Sequence, residues 1–136
     1  MRRILIIDDD QSVGTAIQMM LARQGYDTAL ALNARDGLQV FESSQFDVAM
    51  IDIFMPGTDG LEIIKDLRER APTMTIVAMS GFRYRNSTVS TPDFLGMAAG
   101  LGATTCLRKP FAPKQLMEAI NSGLDPAVPL TARSSD

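Results

Sequence analysis

Five short apolar runs rich in β-branched residues alternate with longer segments of helical period, and this alternation constrains the fold more than any other feature. Residues 3–7, 27–31, 47–51, 74–79 and 104–107 read as strands. Between them lie segments whose apolar positions recur every three or four residues. Helices are expected over 11–24, with Val13, Ile17, Met20 and Leu21 on one face, and over 34–42, with Leu38 and Phe41 inward. The pattern continues over 61–70, with Leu61, Ile64 and Leu67 inward, and over 92–101 and 113–122. Gly25, Pro72, Gly102 and Gly123 supply the stops, while Thr91 and Pro92 suit the cap and first position of the fourth helix. Strands this apolar have no wet face. The pattern therefore predicts one α/β domain, with a parallel sheet covered by helices on both sides through right-handed crossovers. Residues 1–123 form that domain, and 124–136, with Pro126, Pro129 and no periodicity, form a tail or the start of a linker.

Polar residues stand just past four of the runs. Asp8 and Asp9 follow the first, Asp52 the third, Ser80 the fourth and Lys109 the fifth. Parallel strands would bring them together at the carboxyl edge of the sheet, where open α/β sheets place their ligands. Three acids and one lysine in a small space leave two negative charges, so the group needs a cation. The combination reads as a metal-assisted phosphoryl site.

The absences narrow the chemistry. The chain has no histidine, which removes Ser/His and Cys/His catalysis and nearly all zinc chemistry. A metal must be held by oxygen, which favours Mg²⁺, Mn²⁺ or Ca²⁺. One cysteine cannot form an internal disulfide, so a reducing compartment is expected. A net charge of −3 gives no reason to expect direct nucleic-acid binding. The apolar run after Arg2-Arg3 stops at three aspartates, and no run reaches membrane-spanning length. The expected location is cytoplasmic, with no membrane partner.

The strings Ile4-Leu5-Ile6-Ile7-Asp8-Asp9-Asp10 and Asp52-Ile53-Phe54-Met55-Pro56-Gly57-Thr58-Asp59-Gly60, then Ser80 and Lys109-Pro110-Phe111, resemble the receiver domain of two-component response regulators. The resemblance covers about residues 2–123. It implies a flavodoxin-like (βα)5 domain with sheet order 2-1-3-4-5. It also implies that Asp52 accepts a phosphoryl group from a phosphohistidine, on a sensor histidine kinase or a histidine phosphotransfer protein. Mg²⁺, or Mn²⁺ in its place, would be held by Asp9, Asp52 and the Phe54 carbonyl, with Asp8 acting through water. Ser80 and Lys109 would stabilise the phosphoryl oxygens, and a cis Lys109-Pro110 bond would aim the lysine at Asp52. Asp10 is assigned to capping the first helix. Phosphorylation would switch a surface read by a downstream protein or a fused output domain, and the only reactions catalysed would be its own phosphorylation and dephosphorylation.

Three local features modify that expectation. Ser80 and Lys109 are 29 positions apart, which implies an extended 81–90 loop, whose Arg83, Tyr84 and Arg85 read as solvated. Cys106 stands where the family usually has Tyr or Phe, so an aromatic relay is not expected. The change should run instead through 81–90 and the fourth helix, which carries Gly96 and Gly100. Phe54 and Phe82 each lie two positions past a site residue, where neither ring can hydrogen-bond an attacking water, so a long-lived acyl phosphate is expected.

Two other classes compete. A haloacid-dehalogenase-type phosphatase would need acids in a loop after its lysine, but only Glu118, Asp125 and Asp136 follow Lys109. A receiver-like protein-binding module that is never phosphorylated could lose site residues, yet all are present. Flavin binding is disfavoured because three acids after the first strand would repel the flavin phosphate.

Overall fold

The computed structural model describes residues 2–55, 58–81 and 91–122, with the backbone alone at 58 and 91–95. Its elements are β1 (Arg3–Ile7), α1 (Gln11–Ala22), β2 (Asp27–Ala31), α2 (Ala34–Ser43), β3 (Val48–Asp52) and the short pair β4 (Phe54–Met55) and β5 (Thr58–Asp59). There follow α3 (Gly60–Arg70), β6 (Thr75–Ser80), α4 (Thr91–Leu101), β7 (Thr105–Arg108) and α5 (Pro113–Asn121). The five long strands form one parallel sheet in the order β2-β1-β3-β6-β7. Counting only those strands, this is the 2-1-3-4-5 order that the resemblance implied.

Alternate residues of the central strands feed two cores. Leu5, Ile7, Ala49, Ile51, Ile76 and Ala78 pack with Ile64 and Leu67 of α3 and Ala98 of α4. Ile4, Ile6, Val48, Met50, Val77 and Met79 pack with Ile17 and Leu21 of α1 and Leu116 and Ile120 of α5. A sheet dry on both faces explains why the central strands read as unbroken apolar runs.

The edges depart from the expectation. β2 and β7 are only partly buried, because an edge strand has a neighbour on one side alone and its helices cover it incompletely. α1 ends at Ala22 rather than at 24, and Gly25 adopts φ +88 in the turn that follows. Asp10 does cap α1, accepting from the Val13 N–H at 3.2 Å. The β4–β5 pair was not anticipated, since two-residue strands carry no readable period. Pro56, Gly57, Phe82, Arg83, Tyr84, Arg85, Gly123 and the 124–136 tail lie outside the described residues.

Candidate functional site

Four neighbouring parallel strands, β1, β3, β6 and β7, end side by side, and residues at or just past their ends build the site. Asp8 follows β1 and is fully buried. Its backbone N–H donates to the Ala31 carbonyl at 3.1 Å, which extends the ladder by one residue and fixes the side chain. Asp8 Oδ1 accepts from the Asp10 N–H at 2.9 Å. Asp52 closes β3 and is 3% exposed, with Oδ1 accepting from the Phe54 N–H at 3.0 Å. Asp9 is exposed at the rim. One carboxylate oxygen from each of Asp8, Asp9 and Asp52 lies within 4.8 Å of the others.

Lys109 enters from the end of β7. Its backbone N–H donates to the Ser80 carbonyl at 2.8 Å, and its Nζ donates to Asp8 Oδ2 at 2.8 Å and to Asp52 Oδ2 at 3.3 Å. The Lys109-Pro110 bond is cis. Ser80 closes β6 and is buried, and among the described residues its hydroxyl is the buried side-chain group with no hydrogen-bond partner. Asp8, Asp9, Asp52, Ser80 and Lys109 are thus all at the carboxyl edge. Phe54 is half-buried in β4, its ring against the core and at the wall of the adjoining cleft.

The electrostatics follow from burial. Removal from water pushes the Asp52 carboxyl up from 3.8 to about 6; the Lys109 charge and the Phe54 N–H oppose the rise, and the Asp8 charge adds to it. Burial pulls the Lys109 ammonium down, but the Asp8 hydrogen bond and the charges of Asp52 and Asp8 outweigh it, and the net direction is up. One ammonium therefore holds two buried carboxylates without fully compensating them. A chelating oxygen set with a charge deficit fits a hard divalent cation.

Two contributors were given no role in the sequence reading, although the first belongs to the quoted motif. Gly60 opens α3 against the chain leaving β3, and a Cβ there would lie 2.4 Å from Ile53 Cα and 2.8 Å from the Asp52 carbonyl oxygen. Only glycine permits that approach, and the signal was the Asp-Gly pair just before a helical period. Asp59 caps the same helix, accepting from the Leu61 N–H at 3.0 Å. The second contributor is a cleft of about 760 Å³ beside the acids, walled by Val13, Ile17 and Met20 of α1 and by Phe54 and Phe111. Val13 and Met20 pack against the core as expected, but they are only partly buried because they also form this wall.

Cys106 is half-buried in β7, where burial pushes its thiol up. No helix among the described residues is long and apolar enough to cross a membrane.

Known proteins resemble this chain in fold and in sequence. Among solved structures, a response regulator receiver domain protein from Clostridium thermocellum superposes with a TM-score of 0.81 at 26% identity, over 93% of this chain and 97% of that one. A CheY-like receiver domain protein from Methanospirillum hungatei JF-1 gives 0.81 at 28% identity, over 93% and 95%. The response regulator MprA of Mycolicibacterium vanbaalenii is 32% identical over 127 residues, 93% of this chain and 52% of that protein. The transcriptional regulatory protein DltR of Streptococcus agalactiae is 30% identical over 118 residues, 87% of this chain and 50% of that protein. The chain spans about half the length of these curated relatives. The model of the response regulator receiver domain matches residues 4–121, from the first strand to the last residue of α5, and the chain belongs to that family.

Proposed function

We propose that this protein is a phosphorylatable switch whose acceptor is Asp52. The observation that carries the reading is the buried Asp52 carboxylate, paired with Lys109 at 3.3 Å, on a strand whose neighbour ends in the unpartnered, buried Ser80 hydroxyl. A buried hydroxyl without a partner is unfavourable unless a ligand supplies one. A phosphoryl group on Asp52 would supply acceptor oxygens to Ser80 and to Lys109.

In the reaction, an Asp52 oxygen forms a bond to the phosphorus of a phosphohistidine on a kinase or phosphotransfer partner. The phosphorus–nitrogen bond breaks, its electron pair returns to the imidazole nitrogen, and that nitrogen takes a proton from solvent. Lys109 and Ser80 donate to the phosphoryl oxygens, so charge on the transferring group meets fixed donors. Asp8, Asp9 and Asp52 would hold Mg²⁺, or Mn²⁺ in its place, with the Phe54 carbonyl as a further ligand, as the oxygen-only set and the charge deficit favour. The cation's chemistry there is to offset the negative charge of the acids and of the incoming group. Phe54 offers an attacking water no hydrogen bond, which favours a long-lived acyl phosphate. The output would pass through the α4–β7–α5 surface to a downstream protein or a fused output domain.

The test is intact-protein mass spectrometry after incubation with acetyl phosphate and Mg²⁺. Wild type should gain one phosphoryl group, Asp52→Asn should gain none, and withholding Mg²⁺ should suppress the wild-type gain. A phosphoryl group on the variant would refute the acceptor assignment. An unmodified wild type, also with a phosphorylated kinase, would favour an unphosphorylated binding module.

A further inference from the structure

Phosphoryl transfer to Asp52 draws on the acids, Ser80 and Lys109, and makes no use of the apolar cleft that opens beside them. The cleft holds about 760 Å³, inside the range of roughly 300–1,000 Å³ common for small-molecule pockets. Its lining changes in character along α1. Asp10, Gln11 and Ser12 line it at the start of the helix, and Val13, Ile17 and Met20 follow on one face. At 1.5 Å per residue, Met20 lies about 10 Å further along the helix than Val13. Ile17 is buried in the core, which holds this face of α1 in place.

The remaining wall suits a ring. Phe54 and Phe111 line the cleft, and with Val13 and Met20 they are only partly buried, so apolar surface meets water beside the most polar part of the molecule. Two phenyl rings and a thioether can receive an aromatic group through edge contacts and sulfur–ring contacts. Asp9, Asp52 and Lys109 share the lining, which makes the cleft continuous with the acceptor site. A donor whose phosphorus meets Asp52 can therefore lay its leaving group along the apolar wall. An acetyl group has one methyl to offer and would cover little of it. An acyl group with its own carboxylate would meet Asp9 and Asp10, so the space favours an uncharged one.

We propose that this cleft is a leaving-group subsite for small acyl phosphates with an apolar, aromatic acyl group, and that it makes them better phosphoryl donors than acetyl phosphate. The proposal rests on Asp52 as the acceptor. In the transfer an Asp52 oxygen forms the bond to phosphorus, and the bond from phosphorus to the bridging oxygen breaks. Its electron pair stays on that oxygen, which leaves as the carboxylate, and no proton is moved. Burial of the ring against α1 adds to the binding of donor and transition state alike, which raises kcat/KM.

The experiment compares benzoyl phosphate with acetyl phosphate on the full chain in the presence of Mg²⁺, with the rate of phosphorylation read by intact-protein mass spectrometry. The proteins are wild type, Val13→Thr/Met20→Gln and Met19→Gln, the last a control on the same helix at a side chain 56% exposed and outside the cleft lining. The ratio of the two rates cancels the intrinsic reactivity of the donors when it is compared between proteins. It should fall about tenfold in the double variant, a loss that about two buried carbon atoms would account for, and stay unchanged in Met19→Gln. A second readout needs no reaction. Phenacylphosphonate, with a methylene in place of the bridging oxygen of benzoyl phosphate, is titrated into wild type carrying ¹³C-methyl methionine. The Met20 signal should shift saturably while those of Met19 and Met97 stay in place, and acetonylphosphonate should bind about tenfold more weakly. An equal rate ratio in all three proteins, or a Met20 signal that does not move, overturns the subsite and leaves the cleft as surface for a protein partner. Failure of both donors on wild type overturns the Asp52 reading instead, and with it the transfer step, while the Met20 shift still decides whether the cleft takes an aromatic acyl group.

Discussion

α3 and α4 follow neighbouring central strands and pack against each other, yet they are built in opposite ways. α3 begins with an aspartate cap and a glycine pressed onto the backbone of Ile53. It buries Leu61, Ile63, Ile64 and Leu67 and carries Arg68 and Arg70 in its last turn. α4 has two glycines in open space and borrows its C-terminal charge from α3. The helix after the Asp52 strand is therefore fixed by contacts at every turn, whereas over the described side chains of the helix after the Ser80 strand, residues 96–101, Ala98 alone is buried. Under the proposed function, holding a carboxylate still while changing a surface needs both constructions, and here they lie on adjacent connections.

The largest effect should separate glycines of the two helices. Gly60→Ala drives a methyl group into backbone atoms that cannot rotate away, so stability should fall by about 3 kcal/mol. Because the atoms struck belong to Ile53 and Asp52, metal stabilisation of the fold should shrink as well. Alanine at 96, with open space around it, should instead be stabilising. Urea denaturation of the two single variants is the check. Midpoints that shift in the same direction would break the contrast.

The site is also weak, but for an electrostatic reason. Burial raises the Asp52 carboxyl to about 6 from 3.8, against the Lys109 charge. The native state holds this proton more tightly than the unfolded chain does. The stability it contributes is complete below about pH 4 and is lost as the pH rises through about 6. At about 1.4 kcal/mol per unit, the loss approaches 3 kcal/mol. Asp52→Asn should therefore stabilise the metal-free protein by about 2 kcal/mol at neutral pH and flatten the dependence between about pH 4 and 6. The gain from Gly96→Ala should be the same at both ends of that range. Denaturation in a chelating buffer across the range is the measurement, and an unchanged slope in the Asp52 variant would remove the electrostatic account.

The sheet was legible because its central strands are dry on both faces, so periodicity alone located all five long strands and their helices. Asp8, Asp9, Asp52, Ser80 and Lys109 were legible because each ends or follows a strand, and parallel pairing then fixes where they meet. Less visible were features set by partners distant in sequence. Arg68 looks like any charged residue in a helical period, and its acceptors at Gly102 and Thr104 lie 34 and 36 positions away. Val13 and Met20 have the spacing of a core face and do pack against the core, but their spacing does not show that they also wall the cleft beside the acids. Gly60 and Gly96 are both simply glycines in sequence. Only the surroundings show that one is required and the other is not.

The smallest expected effect tests how thinly α4 is attached. Met97 is 53% exposed in the second half of the helix, on a stretch where Gly96, Ala99 and Gly100 are exposed too. Truncating a buried methionine costs about 2–5 kcal/mol, because its packing is lost and a cavity remains. At Met97 little packing exists to lose, and alanine is the slightly better helix former. Met97→Ala should therefore change stability by no more than about 0.5 kcal/mol. Thermal or urea denaturation reads this directly, with hydrogen exchange of residues 98–103 as the local reporter. A loss above about 1 kcal/mol would mean that the side chain is packed in solution and that α4 is held along its length, as α3 is.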